Sequence, residues 1–154
     1  MELERDFREF IELLNKLDVQ YLVIGGYAVN FHGYPRYTKD IDLWLWLSEE
    51  NINRLMKALK EFGFGDVGLN KDDFLKPENI IQLGYEPYRI DLVVEVEGIN
   101  FQECYERKVE ANLEGIKINF LSLQDLIDIK KKTGRPQDLA DADQLEKLKN
   151  KMNE

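Results

Sequence analysis

The chain has a single cysteine, Cys104, in 154 residues. No intrachain disulfide and no cysteine zinc site can be built from it, and a reduced, cytoplasmic setting is the expectation that follows. Histidine is equally scarce. His32 stands alone, so no histidine-rich metal motif is available to a phosphohydrolase, and Cys104 has no visible histidine partner to make it a nucleophile. No apolar run approaches the roughly 20 residues of a membrane span. The opening residues, MELERDFREF, are acidic and amphipathic, which argues against a secretory signal. Positive charge is short: 21 Lys and Arg against 30 Asp and Glu give a net charge of −9. Phosphate contacts supply most non-specific affinity for nucleic acid, so this balance disfavours long RNA or DNA as acceptor while allowing a local basic groove. Pro- or Ser-rich linkers, low-complexity tracts and internal repeats are missing too, and residues 1–154 are expected to form one domain.

What the chain does have is concentrated between Tyr21 and Leu47, YLVIGGYAVNFHGYPRYTKDIDLWLWL. An apolar strand over Tyr21–Ile24 runs into Gly25-Gly26 and a short helix to Phe31. Gly33 and Pro35 break the following loop, and a second strand carries Asp40 and Asp42. Alternation along a strand puts both carboxylates on one face, about 7 Å apart, where they repel unless a cation joins them. Oxygen ligands of this kind suit Mg²⁺, which completes its shell with substrate phosphates. The Gly-Gly turn at a helix start offers backbone N–H groups to those phosphates. Trp44 and Trp46 continue the aspartate face, so that face has to become covered beyond the site.

The pattern HG-x-x-R-x-T-x-D-I-D-L over His32–Leu43, preceded by the strand and Gly25-Gly26, resembles the signature of the nucleotidyltransferase superfamily related to DNA polymerase beta. It is closest to small bacterial and archaeal members such as the AbiEii-type toxins. Many members have Gly-Ser where this chain has Gly25-Gly26, so a serine hydroxyl that often meets a phosphate is absent. The resemblance implies an α+β fold, a mixed β-sheet with helices packed on it and a helical C-terminus. It implies Mg²⁺-dependent transfer of a nucleoside monophosphate from an NTP to an acceptor hydroxyl on a small molecule, a tRNA end or a protein. Asp40, Asp42 and Asp91 would hold two ions, Gly25 and Gly26 would take phosphate oxygens, and Arg36, with Thr38, would bind the leaving pyrophosphate. An alternative of another class is a non-catalytic nucleotide- or partner-binding module of a toxin–antitoxin-like system; oligomeric state stays open.

The rest of the chain supplies scaffolding and two further candidates. Apolar residues at helical spacing predict helices over residues 2–17, from the Ser48 cap to the Gly63 stop, and from Ser122, with Asp125 three residues on in capping-box fashion. A final helix with Leu139, Ala142, Leu145, Leu148 and Met152 is expected to pack on the body. Strands are expected at Ile80–Leu83, Tyr88–Val96, Val109–Leu113 and Ile116–Leu121, with a short helix near 99–104. Residues 63–79 carry no clear pattern, and Asp72 and Asp73 read as solvated. Asp91 lies amid β-branched residues, where a carboxylate is costly unless something charged faces it. A neighbouring strand brings it to Asp40 and Asp42, with Glu95, of the same parity, as its rival. Neutralising Asp91 is expected to stabilise the metal-free protein by relieving repulsion. His32 is expected to bond a nearby carbonyl. Lys130 has two readings: capping a helix end together with Lys131 and Lys132, or, by the family likeness, meeting the triphosphate while Asp138 or Asp141 braces the site.

Overall fold

The structure, a computed structural model, describes residues 3–63, 68–84 and 87–153. Helix α1 (Arg5–Lys16) starts at Glu4, whose carboxylate accepts the N–H groups of Asp6 and Phe7, and buries Phe7, Phe10, Ile11 and Leu14. Strand β1 (Tyr21–Ile24) leads directly into α2 (Gly25–Phe31), then β2 (Ile41–Leu45) and α3 (Glu49–Phe62). Ser48 caps α3 and Gly63, at φ +105°, ends it in the left-handed region that a helix stop favours. The span left unassigned by sequence contains α4 (Lys71–Leu75), held by a reciprocal capping box between Asn70 and Asp73. Strands β3 (Ile80–Leu83) and β4 (Ile90–Val93), helix α5 (Phe101–Glu106), the hairpin β5 (Val109–Leu113) and β6 (Ile116–Phe120), and helices α6 (Leu123–Thr133) and α7 (Pro136–Met152) complete the order.

Among the described residues, six strands form one mixed sheet in the order β3-β4-β2-β1-β6-β5. The β1–β2, β3–β4 and β5–β6 pairs are antiparallel, whereas β2–β4 and β1–β6 are parallel. The α+β architecture expected from the sequence is thus the one observed. No helix among the described residues is long and apolar enough to cross a membrane.

Two features of the packing set the site. Asn51 is buried at the start of α3 and accepts the Gln20 N–H at 2.7 Å while donating to the carbonyls of Gln20 and Trp46 at 3.1 and 2.9 Å. It ties the outer ends of β1 and β2 together, so their other ends, Ile24 and Asp42, are fixed opposite each other. Beyond the site the aspartate face is closed as expected. Phe101 of α5 meets Trp44 edge-on at 5.1 Å and stacks on Trp46 at 5.7 Å.

Several boundaries and one packing expectation change. The strand expected over Tyr88–Val96 is regular only from Ile90 to Val93. Ser122 accepts the Asp125 N–H at 3.1 Å, but the Asp125 carboxylate turns away to Arg107 at 3.0 Å instead of completing a capping box. In α7, Ala142 and Leu145 are buried while Leu139 and Met152 are exposed. The inward face of that helix is given to Asp138 and Asp141 rather than to a continuous apolar stripe.

Candidate active site

The registers of β1, β2 and β4 bring the predicted residues together. Asp42 stands opposite Ile24 on one side and Asp91 on the other. Since partners across a rung share a face, Asp42 and Asp91 project together. Both line a cleft of about 640 Å³, with Gly25, Gly26, Arg36, Thr38 and Asp40 on the β1–β2 side and Lys130, Arg135 and Asp138 on the α6–α7 side. All eight residues predicted for the site border this one space. Glu95 borders it too, but lies exposed beyond the end of β4 rather than on a rung with Asp42.

The glycines are required by approach. A Cβ on Gly25 would stand 2.2 Å from Asp42 Oδ2, and the φ of +68° is one that side chains disfavour. A Cβ on Gly26 would stand 2.9 Å from Thr38 Oγ1. The Thr38 hydroxyl therefore crowds the place a serine side chain at position 26 would enter, and it donates to the Asp40 carbonyl at 3.0 Å. No side chain caps the start of α2.

Electrostatics divide the cleft. Arg89, which sequence reasoning passed over, donates from Nε to Asp91 Oδ1 at 2.7 Å and from Nη2 to Asp91 Oδ2 at 3.1 Å. The same Nη2 is 3.1 Å from Asp40 Oδ2, and the Arg89 backbone N–H reaches Asp40 Oδ1 at 3.3 Å. Asp42 has no hydrogen bond or ion pair among the described residues. Burial, then the charges of Asp91 and Asp40, push its carboxyl up to about 6 against the pull of Lys130 and Arg89. Asp91 contributes to that repulsion, and both of its oxygens are engaged by the guanidinium fork, so neutralising it would also leave Arg89 short of a partner. The parity that puts Arg89 on the face of Asp91 was visible in Tyr88-Arg89-Ile90-Asp91 and was the signal for it.

On the opposite wall the charges are matched. Lys130 is buried and lies 3.3 Å from Asp138 and 3.2 Å from Asp141. Asp141, fully buried, also pairs with Arg36 and accepts Gln137 Nε2 at 2.8 Å. Asp138 accepts Thr133 Oγ1 at 2.9 Å and Arg135 Nε at 2.7 Å. Burial works against its charge, yet Arg135, Thr133 and Lys130 win and hold its pKa below the ordinary value. The capping reading holds as far as it goes, since Lys130, Lys131 and Lys132 occupy the last turn of α6 and the helix ends on Gly134 at φ +66°; the Lys130 ammonium also reaches Asp138 and Asp141. Lys131 pairs instead with Glu146, and Lys132 donates to the Gly98 carbonyl at 2.9 Å.

Other candidates fall away. His32 ends α2 and donates from Nε2 to the Leu121 carbonyl at 2.7 Å, as expected, with burial lowering its pKa. The Cys104 thiol is buried and pushed up to about 11, first by burial and then by Asp125, a poor state for a nucleophile.

The family described as "Nucleotidyltransferase of unknown function" (DUF6036) matches residues 2–153. The chain belongs to this nucleotidyltransferase family. No curated protein matches its sequence. Solved structures share its fold. The lincosamide antibiotic adenylyltransferase LnuA, in its lincomycin-bound structure, is 19% identical with a TM-score of 0.61 over 95% of this chain and 98% of its own. A candidate nucleotidyltransferase from Thermotoga maritima (TM1012) is 18% identical with a TM-score of 0.59 over 96% and 92%. ANT(2")-Ia, in complex with adenylyl-2"-tobramycin, is 14% identical with a TM-score of 0.54 over 92% and 89%. At such identities the likeness is one of fold. The family, by contrast, gives the reaction class: this nucleotidyltransferase moves a nucleotidyl group.

Proposed function

We propose that this nucleotidyltransferase takes a nucleoside monophosphate from an NTP, with Mg²⁺, and places it on a hydroxyl of a small molecule. The observation that carries the reading is Asp42, a carboxylate without a partner among the described residues, beside Asp91 on one rung and lining a cleft with Arg36 on the same side and Lys130 across from it. Among the described residues no group of three His, Cys, Asp or Glu side chains stands ready to hold a metal ion as the side chains lie. The donor chemistry nevertheless fits. Hard carboxylate oxygens, those of Asp42 with a pKa raised by burial and then by neighbouring negative charge, ask for a divalent cation that binds oxygen. Asp42 and Asp91 would hold it, joined by Asp40. When bound, such ions neutralise triphosphate charge and stabilise the attacking and leaving oxygens of an in-line displacement.

The chain's own groups do the remainder. The uncapped N–H groups at the start of α2 accommodate phosphate oxygens that Gly25 and Gly26 allow to come close, joined by the Thr38 hydroxyl once it turns from the Asp40 carbonyl. Arg36 and Lys130 offer positive charge toward the leaving pyrophosphate, and Asp141 fixes the direction of both. Asp91 is suited to accept the acceptor hydroxyl's proton. A small acceptor suits a bounded cleft on a chain of net charge −9. It also suits the fold's other users, since LnuA is an antibiotic adenylyltransferase with lincomycin bound and ANT(2")-Ia carries adenylyl-2"-tobramycin.

Incubation with each α-labelled NTP and Mg²⁺ against separate pools of metabolites, tRNA and protein tests the reading. Label is expected in the small-molecule pool. Label in tRNA or protein would reassign the acceptor, and tight Mg²⁺–NTP binding without label in any pool would leave the non-catalytic module.

A further inference from the structure

Two of the three carboxylates assigned above to the metal, Asp40 and Asp91, already hold a cation supplied by the chain. Arg89 lies two residues before Asp91, just ahead of β4, and its side chain reaches the same face. Its planar fork takes both oxygens of Asp91, at 2.7 and 3.1 Å, and one oxygen of Asp40 at 3.1 Å, while its backbone N–H takes the other at 3.3 Å. Each oxygen of Asp40 and Asp91 thereby has one contact with Arg89, whereas Asp42 has no hydrogen bond or ion pair among the described residues. The side chain of Arg89 is 26% exposed.

We propose that Arg89 is a resident counter-cation, a positioning residue that holds Asp40 and Asp91 in the metal-free protein and must release them before a divalent ion is bound. The inference rests on the metal-dependent reading of the site. Its physical basis is competition. A guanidinium and a divalent cation seek the same carboxylate oxygens, and the two positive charges repel when both are present in one partly buried site. The arginine lowers the cost of keeping the carboxylates ionised without metal, and in return sets a threshold of metal, or of metal–nucleotide, that opens the site. A lysine in its place could meet one carboxylate at a time but could not fork across both.

The test uses the metal alone. Mn²⁺ is titrated without nucleotide into wild type, Arg89→Gln, Arg89→Lys and Asp42→Asn, with free Mn²⁺ read by electron paramagnetic resonance, and each protein is melted with and without Mg²⁺. Arg89→Gln is expected to bind Mn²⁺ about tenfold more tightly, the scale on which one nearby charge changes the ionic state of a carboxylate. Its metal-free melting temperature falls, so its gain on adding Mg²⁺ exceeds that of wild type. Arg89→Lys lies between the two, and Asp42→Asn loses the site. Equal or weaker Mn²⁺ binding by Arg89→Gln, with wild type binding normally, overturns the proposal and makes Arg89 a brace for Asp91. Absence of Mn²⁺ binding in wild type removes the metal reading itself, and the proposal with it. If Arg89→Gln does not fold, Arg89→Lys decides: tighter binding than wild type supports competition, and unchanged binding overturns it.

Discussion

The two walls of the cleft treat buried charge differently. On the α6–α7 wall, Asp141 is fully buried yet meets Arg36, Lys130 and Gln137, and Asp138 meets Lys130, Arg135 and Thr133. On the strand wall, Arg89 pairs with Asp40 and Asp91, but Asp42 has no hydrogen bond or ion pair among the described residues and is buried beside the charges of Asp91 and Asp40, with the opposing pull of Lys130 and Arg89 too weak to offset them. A satisfied network holds a shape, because removing any one member strands the others. An unsatisfied carboxylate stores repulsion that a bound cation relieves. Within a single cavity, one wall has its charges matched by the chain, and the other, on the reading proposed above, leaves a carboxylate for a cation.

The largest effect on stability is therefore expected on the matched wall. Asp141→Ala leaves Arg36 and Lys130 without their shared partner and should cost about 3–5 kcal/mol, the usual penalty for breaking a buried pair. Urea denaturation checks it. Asp42→Asn should act with the opposite sign, raising metal-free stability at neutral pH because it removes an unmatched charge, while lowering transfer by at least about 100-fold through loss of the metal ligand. If Asp42→Asn destabilises as much as Asp141→Ala, the two walls are not different in kind.

A smaller and more specific effect follows from pH. The Asp42 carboxyl is raised to about 6 in the folded chain, from an ordinary value of 3.8. Between those values the folded state retains a proton that the unfolded state has released. Stability from this group is thus fully present below the ordinary value and is lost as pH rises through about 6. In metal-free buffer, wild type should lose stability relative to Asp42→Asn as pH is raised from 4 to 7, and the two curves should run parallel above about 7. Excess Mg²⁺ should remove most of the difference in wild type. Equal slopes throughout would mean that Asp42 is not the strained carboxylate.

How much of this was legible depended on whether a residue's role is local. The strand–Gly-Gly–helix unit and Asp40 and Asp42 follow from alternation and turn chemistry within 27 consecutive residues, Tyr21–Leu47, and the structure keeps them almost unchanged. Asp91 was reachable through the parallel β2–β4 pairing, a rule about neighbours in sheets. Arg89 was missed although its parity was readable, since a surface arginine and a site arginine look alike in one sequence. The pairing of Arg36 with Asp141 spans 105 positions, and no periodic signal carries such a link. In α7 the reading failed for a physical reason: two aspartates occupy the inward face because Lys130, Arg36 and Arg135 pay their desolvation, so the apolar residues Leu139 and Met152 lie outside.

The smallest expected effect tests the choice between Asp91 and Glu95. Both have the parity of the site and both border the cleft, so sequence alone left Glu95 as a rival. Only Asp91 shares a rung with Asp42. Glu95 lies beyond the last residue of β4, where its exposed carboxylate is screened by solvent. Glu95→Gln should accordingly change kcat by less than about twofold and leave Mn²⁺ affinity alone, since an exposed charge outside the cluster contributes little to either. Asp91→Asn should abolish transfer and, because it also frees the fork of Arg89, should not raise the metal-free melting temperature as Asp42→Asn does. A loss of activity in Glu95→Gln comparable to that in Asp91→Asn would move the third carboxylate to Glu95 and require β4 to extend beyond Val93 when substrate is bound.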